Sequence, residues 1–419
     1  MEKWKKRRKS MCAVLALALM AAFGFMGIEQ FAPEERSLKI VEDTPASARA
    51  ESGDSSLDEE RDSLKIKAKS AILIDGNSGN VIYAQNEKKH LPPASVTKVM
   101  SLLLVLEGCE SGKISLDDKV TISERAAGMG GSQMYMEQGE QHTVEELIKG
   151  VIMVSANDGS VALAEHLAGS VEEFVKAMNK RAESLGLSDS NFVNTNGLPV
   201  ANHYSCAYDI GIISSELMKH EKAHEWFTAW QENIKVGLPG KESKFTLTNT
   251  NKLVRTYNGA IGVKTGFTQD AGYCLSGAAE REGTRFIGVV LGCKTSDIRF
   301  AEMKKLLDYG FANYETKLLA REGERQKKVK VEKGESEELF AVVKEDVGIT
   351  VKKGRGGNIK KKICINDNIG LPLKKGEAIG SMKIYKDGKR ISEHELVADR
   401  NIAKADFITI YIRMMKNLL

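Results

Sequence analysis

Cysteine is scarce. Six occur in 419 residues, and no two are spaced as Cys-x-x-Cys. Cys12 lies at the edge of an apolar N-terminal run, which leaves an odd set of Cys109, Cys206, Cys274, Cys293 and Cys364 with no regular spacing. A disulfide framework and a zinc knuckle are therefore not indicated, and these thiols read as small buried apolar groups. An excess of one charge is also missing. The net formal charge is +4, from 61 Lys and Arg against 57 Asp and Glu, which gives no overall electrostatic case for a nucleic-acid partner. No cofactor and no metal are expected.

The chain is long enough for two domains. At its start, Lys3, Lys5, Lys6, Arg7, Arg8 and Lys9 precede a charge-free apolar run from Met11 to Ile28. That is the layout of an export signal, long for a cleaved one and short for a membrane span, so residues 1–28 are a signal or an anchor. Residues 29–62 are rich in Glu, Asp, Ser and Ala and read as a flexible acidic linker.

From 63 to 316, short strands enclose a block of helices, an α+β pattern. Ala71–Ile74 and Val81–Ala84 form a hairpin about Asp75–Asn80. Ser95–Glu107 is a helix buried on most sides. Thr143-Val-Glu-Glu146 is a capping box, Ser170-Val-Glu-Glu173 repeats it, and the second helix stops at Gly186. Ile261–Phe267, Tyr273–Arg281 and Thr284–Gly292 are strands, the last two joined at Glu282-Gly283, and Ala301–Tyr314 is helical. Beyond Leu319 basic residues outnumber acidic ones, and short Val/Ile runs alternate with glycine, so 317–400 reads as a small all-β domain. Residues 401–419 combine Phe407, Ile408, Ile410, Tyr411 and Ile412 with Arg413 and Lys416. They form either an amphipathic membrane-associating helix or an edge strand of the β domain.

Three short motifs follow one another. Ser95-Val-Thr-Lys98 is the one Ser-x-x-Lys, Ser155-Ala-Asn157 is a Ser-x-Asn, and Lys264-Thr-Gly266 is the one Lys-Thr-Gly. Each alone is weak; Ser78-Gly-Asn80 also fits Ser-x-Asn but lies in a turn. Residues three apart share a helix face, so the Ser95 hydroxyl and the Lys98 amine can meet. A serine needs a base, and a lysine becomes one when burial and a second cation, here Lys264, lower its pKa. Ser155 could relay a proton to the leaving amine, and Asn157 could hold Lys98 and the substrate amide. Lys264 and Thr265 suit a substrate carboxylate, Gly266 permits close backbone approach, and the Phe267 N–H joins that of Ser95 as an oxyanion donor.

These motifs, with Pro92-Pro-Ala-Ser-Val-Thr-Lys98, Gly130-Gly-Ser-Gln-Met-Tyr135, Asn196-Gly-Leu198, His203-Tyr-Ser205 and Gly262-Val-Lys-Thr-Gly-Phe-Thr268, resemble the D-alanyl-D-alanine carboxypeptidases, low-molecular-mass penicillin-binding proteins of serine type. The resemblance runs from about Leu64 to the C-terminus. It implies a β-lactamase/transpeptidase-like domain followed by a small β domain and an amphipathic tail. It implies removal of the terminal D-alanine from peptidoglycan stem pentapeptides, with Ser95 acylated, Lys98 as base, Ser155 and Asn157 as partners and Lys264 binding substrate. It also implies covalent inhibition by β-lactams and a place on the outer face of the cytoplasmic membrane. Some family members carry histidine where Phe267 stands; only the backbone of that residue is given a role.

Three other readings use the same residues or nearby ones. A β-lactamase needs a further carboxylate base for deacylation, and no Glu-containing loop motif offers one. A penicillin sensor would acylate without turnover. His220-Glu-Lys-Ala-His224 matches the zinc-protease pattern His-Glu-x-x-His, yet its charged neighbours suggest a solvated helix face with no third ligand.

Overall fold

The structure, a computed structural model, describes residues 64–418, with side chains described as far as Arg413. The expected export segment and acidic linker lie outside these residues.

Period-two alternation builds the central sheet. Its strands are β1 (Ser70–Asp75), β2 (Val81–Gln85), β3 (Ala260–Thr268), β4 (Gly272–Arg281) and β5 (Thr284–Cys293), in the order β2-β1-β5-β4-β3. Every neighbouring pair is antiparallel. Glu282 at φ 50° and Gly283 at φ 73° close the β4–β5 hairpin, since a two-residue turn needs positive φ at both central positions to match the strand twist. Ile72, Ile74, Ala278, Ile287 and Val289 face the helical block. Ala71, Leu73, Ala279, Phe286 and Val290 face the opposite way, against Phe300, Met303, Leu306 and Leu307 of a long helix, Ser296–Asn313. The sheet is thus covered on both faces, and β3 is left at its edge.

The helical block contains α1 (Lys98–Glu110), α2 (Val144–Met153), α3 (Asn157–Ala168), α4 (Val171–Ser184) and α5 (Ala207–Leu217). Helix α1 is buried almost all round, as its continuous apolar sequence requires. Its expected first turn differs from an α-helix. Ala94–Thr97 is a 3-10 turn, which tightens the chain where Pro93 precedes it. The Thr143 box is complete, with Glu146 N–H donating to Thr143 Oγ1 and Thr143 N–H donating to Glu146. At Ser170 only the forward half is seen, with Glu173 N–H donating to the hydroxyl.

The His-Glu-x-x-His stretch is not one helix face. His220 sits outside helical geometry at φ −79°, ψ 80°, ahead of a 3-10 turn, and the next helix starts only at His224. His220 contacts Glu110 and His224 contacts the Met218 carbonyl, so the two imidazoles do not converge.

After α6 (Ser296–Asn313) come β6 (Tyr314–Ala320), β7 (Arg325–Lys330), β8 (Glu338–Val343), β9 (Val347–Lys352), β10 (Ile359–Ile365), β11 (Ala378–Lys386) and β12 (Lys389–Ala398). A five-stranded sheet in the order β7-β8-β12-β11-β10 and the pair β6–β9 enclose their own core around Leu339, Ala341, Met382 and Leu396. The α+β class with a second all-β domain is therefore as expected. Residues Phe407–Leu418 form α7, a helix and not an edge strand. Among the described residues, no helix is long and apolar enough to cross a membrane.

Candidate active site

Ser95 lies in the 3-10 turn and Lys98 opens α1, so three-residue spacing brings Ser95 Oγ within 3.0 Å of Lys98 Nζ. The lysine is fully buried. Its amine donates to Asn157 Oδ1 at 2.7 Å and to the Asn196 carbonyl at 2.8 Å. The orientation of the Asn157 amide is fixed by its other end, because Nδ2 donates to the Gly130 carbonyl at 2.7 Å. Two of the three amine neighbours are therefore obligate acceptors. A neutral amine has two N–H groups and one lone pair. In the neutral form the two N–H groups serve Asn157 and Asn196, and the lone pair is left for the Ser95 hydroxyl.

Electrostatics favour that neutral form. Burial, then the nearby Lys264 cation, push the Lys98 amine well below the ordinary lysine range, with Asp158 opposing. Lys264 is itself buried, and desolvation followed by Arg299 lowers its pKa to about 7. Asp158 is raised by burial, although the Met134, Met136 and Gly159 N–H groups donate to it and pull the other way. Its visible role is to hold the 130–136 loop, whose Gly130 carbonyl fixes Asn157.

Ser155 links α2 to α3 in the left-handed region, at φ 64°. Its hydroxyl is buried and has no hydrogen-bond partner, a costly state that an incoming polar group would relieve. Asn157 is the first residue of α3 and not a turn residue ahead of it. Lys264, Thr265, Gly266 and Phe267 lie on β3. A Cβ on Gly266 would stand 3.0 Å from the Pro93 carbonyl and from the Ser95 and Val96 nitrogens, so glycine lets the strand press closely against the turn that carries Ser95. Lys264 Nζ donates to the Thr265 carbonyl at 3.0 Å, and the Thr265 hydroxyl pairs with that of Thr250 at 2.8 Å. The Phe267 side chain is half exposed and packs on Tyr273, with ring centroids 4.3 Å apart.

Several positioning groups were given no role from the sequence, although Gly130, Asn196 and His203 stand in segments that carry the resemblance. The Asn196 and Gly130 acceptors are backbone carbonyls, which any residue supplies. Val193 N–H donates to His203 Nδ1, so Nε2 carries the proton and donates to Thr97 Oγ1 at 2.8 Å. Burial lowers the His203 pKa to about 4 and keeps it neutral while it steadies the turn between Ser95 and Lys98. Arg299 of α6 reaches through the sheet edge to the Gly266 and Cys274 carbonyls. Among the described residues, one group of metal-ligating atoms lies within mutual reach: Asp189, Cys206 and Asp209. Lys88 Nζ stands 3.2 Å and 3.7 Å from its two carboxylates, which makes it an ion-pair cluster remote from the three motifs.

Comparison with known proteins adds to this geometry. A family model described as D-alanyl-D-alanine carboxypeptidase matches residues 57–295, and the C-terminal domain of penicillin-binding protein 5 matches residues 314–404. The chain is 43% identical to D-alanyl-D-alanine carboxypeptidase DacF of Bacillus subtilis over 84% of its own length and 90% of the relative's. It is 33% identical to DacA of Escherichia coli over 84% and 88%. Penicillin-binding protein 5 from Haemophilus influenzae superposes with a TM-score of 0.63 at 33% identity, covering 81% of this chain and 98% of that one. A mutant of the DD-transpeptidase of Streptomyces K15 gives 0.56 at 30% identity, covering 59% and 99%.

Proposed function

Because this chain belongs to the D-alanyl-D-alanine carboxypeptidase family of serine-type peptidases, we propose that Ser95, Lys98, Ser155, Asn157 and Lys264 carry out that family's reaction through an acyl-enzyme on Ser95. The protein is a serine-type D-Ala-D-Ala carboxypeptidase with a cell-wall role.

Ser95 gives its proton to neutral Lys98 as Oγ attacks the carbonyl of the penultimate D-alanine. The N–H groups of Ser95 and Phe267 receive the oxyanion; losing one such donor costs about 3 kcal/mol. The Ser155 hydroxyl gives its proton to the departing D-alanine amine and takes one from the Lys98 ammonium, which returns Lys98 to the neutral form. Water then gives a proton to Lys98 as it attacks the ester, and Lys98 hands that proton to Ser95 Oγ as the acid leaves. Lys264 and Thr265 grip the terminal carboxylate, with Gly266 keeping substrate and strand close. The substrate is the stem pentapeptide ending in D-Ala-D-Ala, and β-lactams acylate the same serine. One observation carries this reading: the buried Lys98 amine lies 3.0 Å from Ser95 Oγ while Asn157 and Asn196 hold it in place.

Among the described contacts, no carboxylate touches Ser95 or Lys98, which disfavours rapid β-lactam hydrolysis. A sensor would release no D-alanine at all. Release from a D-Ala-D-Ala peptide is expected for the native chain and should vanish in Ser95→Ala; release that survives the substitution refutes the assignment.

Residues 63–316 carry this chemistry, 317–400 form a spacer-like β domain, and 401–419 touch the membrane. The export segment at 1–28 and the linker at 29–62 would set the active site on the outer face. Support for the membrane contact comes from α7, where Phe407, Ile408, Tyr411 and Ile412 are exposed beside Arg413.

A further inference from the structure

The small net charge of +4 hides an uneven distribution. Residues 352–362 contain six Lys and Arg and no Asp or Glu. Residues 383–393 contain four, against Asp387 and Glu393. Ten cations and two anions give these two segments a local charge of +8, so the rest of the chain is net −4.

The fold puts the two segments side by side. In the β10–β11 pair, Lys360 stands opposite Tyr385 and Lys362 opposite Lys383. The turn after β11 closes on the loop before β10: the Asn358 N–H donates to Asp387 Oδ1 at 2.9 Å, and the Asp387 N–H donates to the Asn358 carbonyl at 3.0 Å. Glu393 is shared between Arg390 at 3.1 Å and Lys383 at 3.5 Å. Like charges directly opposite one another on paired strands are destabilising. Lys362–Lys383 and Lys386–Lys389 are two such pairs, so folding alone does not favour this arrangement. Lysines on an edge strand keep it from pairing with another chain, which accounts for β10. It does not account for Lys383, Lys386, Lys389 and Arg390, because β11 and β12 are interior strands.

Position separates this face from the tail helix. Strand β12 runs from Lys389 to Ala398, about 30 Å at about 3.3 Å per residue. Helix α7 is tied down beyond its far end, where Gly334 bridges to Lys404 and Arg413 donates to the Gly334 and Glu335 carbonyls. A bilayer against α7 therefore lies a strand's length from the basic turn. That turn adjoins the peptidase domain, since Lys353 donates through its N–H to the Asn313 carbonyl and through Nζ to the Phe311 carbonyl. Eight of the ten cations are lysines, point charges on flexible stems, which suit phosphate groups of no fixed orientation.

We infer that this face of the β domain binds a linear phosphodiester polymer of the cell envelope and holds the peptidase domain beside it. The inference is independent of the chemistry proposed at Ser95.

Binding of fluorescently labelled poly(glycerol phosphate) to the full chain should be followed by anisotropy as salt is raised. About four phosphate contacts predict a loss of about fiftyfold in affinity from about 50 to about 200 mM salt. Lys360→Glu with Lys362→Glu, both at exposed positions, should weaken binding about tenfold or more. Lys176→Glu with Lys180→Glu on α4, an equal change in net charge, should alter it by no more than about twofold. D-alanine release from a soluble peptide should be the same in all three proteins, which separates a lost contact from misfolding. Phe407→Ser with Tyr411→Ser should keep polymer binding, and vesicles containing phosphatidylglycerol should still sediment the Lys360→Glu, Lys362→Glu protein. Absence of polymer binding by the native chain, or equal weakening by the two lysine pairs, would overturn the inference. So would loss of vesicle binding with polymer binding retained in Lys360→Glu, Lys362→Glu, which would assign the face to the membrane.

Discussion

The proposed proton transfer from Ser95 rests on one buried amine. Lys98 has three polar neighbours; burial and then Lys264 disfavour its charged form, and in the neutral form two N–H groups serve Asn157 and Asn196 while the lone pair serves Ser95. Sequence patterning pointed to Ser95, Lys98, Ser155, Asn157 and Lys264 because each belongs to a short motif with a stereochemical reason for its spacing, and the structure brings Ser95 and Asn157 onto Lys98. Patterning could not reach the Asn196 carbonyl, since a backbone acceptor leaves no mark on residue type. Nor could it find Arg299, one of three basic residues on a long helix. Backbone strain was equally invisible: Ala94, Tyr135 and Ser155 all have positive φ, at 49°, 62° and 64°, and all flank the site. Such conformations cost of order 1–3 kcal/mol each and persist where surrounding structure imposes them. The pH dependence belongs to this scale. Lys98 must be neutral and Lys264 cationic, so kcat/KM should be bell-shaped. Protonation of Lys98 gives the acid limb. Loss of the Lys264 proton gives an alkaline limb near pH 7, seen as a rising KM. Lys264→Arg, which keeps its charge, should move only that limb upward; an unshifted limb would contradict the role of Lys264.

At the scale of elements, the site is a seam between one edge strand and one tight turn. Strand β3 approaches the Ala94–Thr97 turn as closely as Gly266 allows, and His203 holds the same turn from its other side through Thr97. The strands themselves were legible, because short apolar runs bounded by turn residues mark them and the Glu282-Gly283 turn sets the register of one hairpin. The 3-10 character of the turn was not, since Ser95–Glu107 reads as one apolar helix and nothing local marks its first turn as tighter. Gly266→Ala tests the seam. The added methyl meets three backbone atoms that cannot swing away, so the strand must retreat. A retreat of a few tenths of an ångström follows, and since a misplacement of about 1 Å costs about 10²-fold, acylation should fall by about tenfold. Stopped-flow penicillin acylation should show that loss with the melting temperature little changed; native-like acylation would mean that the close approach is dispensable.

Across the whole molecule, two separately packed sheets follow one another, the first covered on both faces by helices and the second enclosing its own core. Composition announced the second as a basic, Val/Ile- and Gly-punctuated stretch, but its strand order rests on pairings between distant segments that no local pattern encodes. The tail was ambiguous in sequence because Ile, Thr and Tyr suit a strand as well as a helix. The structure makes it a helix, tied down by Arg413, which donates to the Gly334 and Glu335 carbonyls and pairs with Glu337 at 2.9 Å. Its exposed Phe407, Ile408, Tyr411 and Ile412 should bind vesicles containing anionic lipid, and Phe407→Ser with Tyr411→Ser should weaken co-sedimentation several-fold without touching D-alanine release; equal sedimentation would remove the membrane role. The chemistry itself is tested most directly by covalent labelling. The intact protein, treated with penicillin, digested and mapped by peptide mass, should carry a single acyl adduct on the peptide containing Ser95, and Ser95→Ala should carry none. An adduct on any other peptide, or labelling that persists in Ser95→Ala, would contradict Ser95 as the nucleophile.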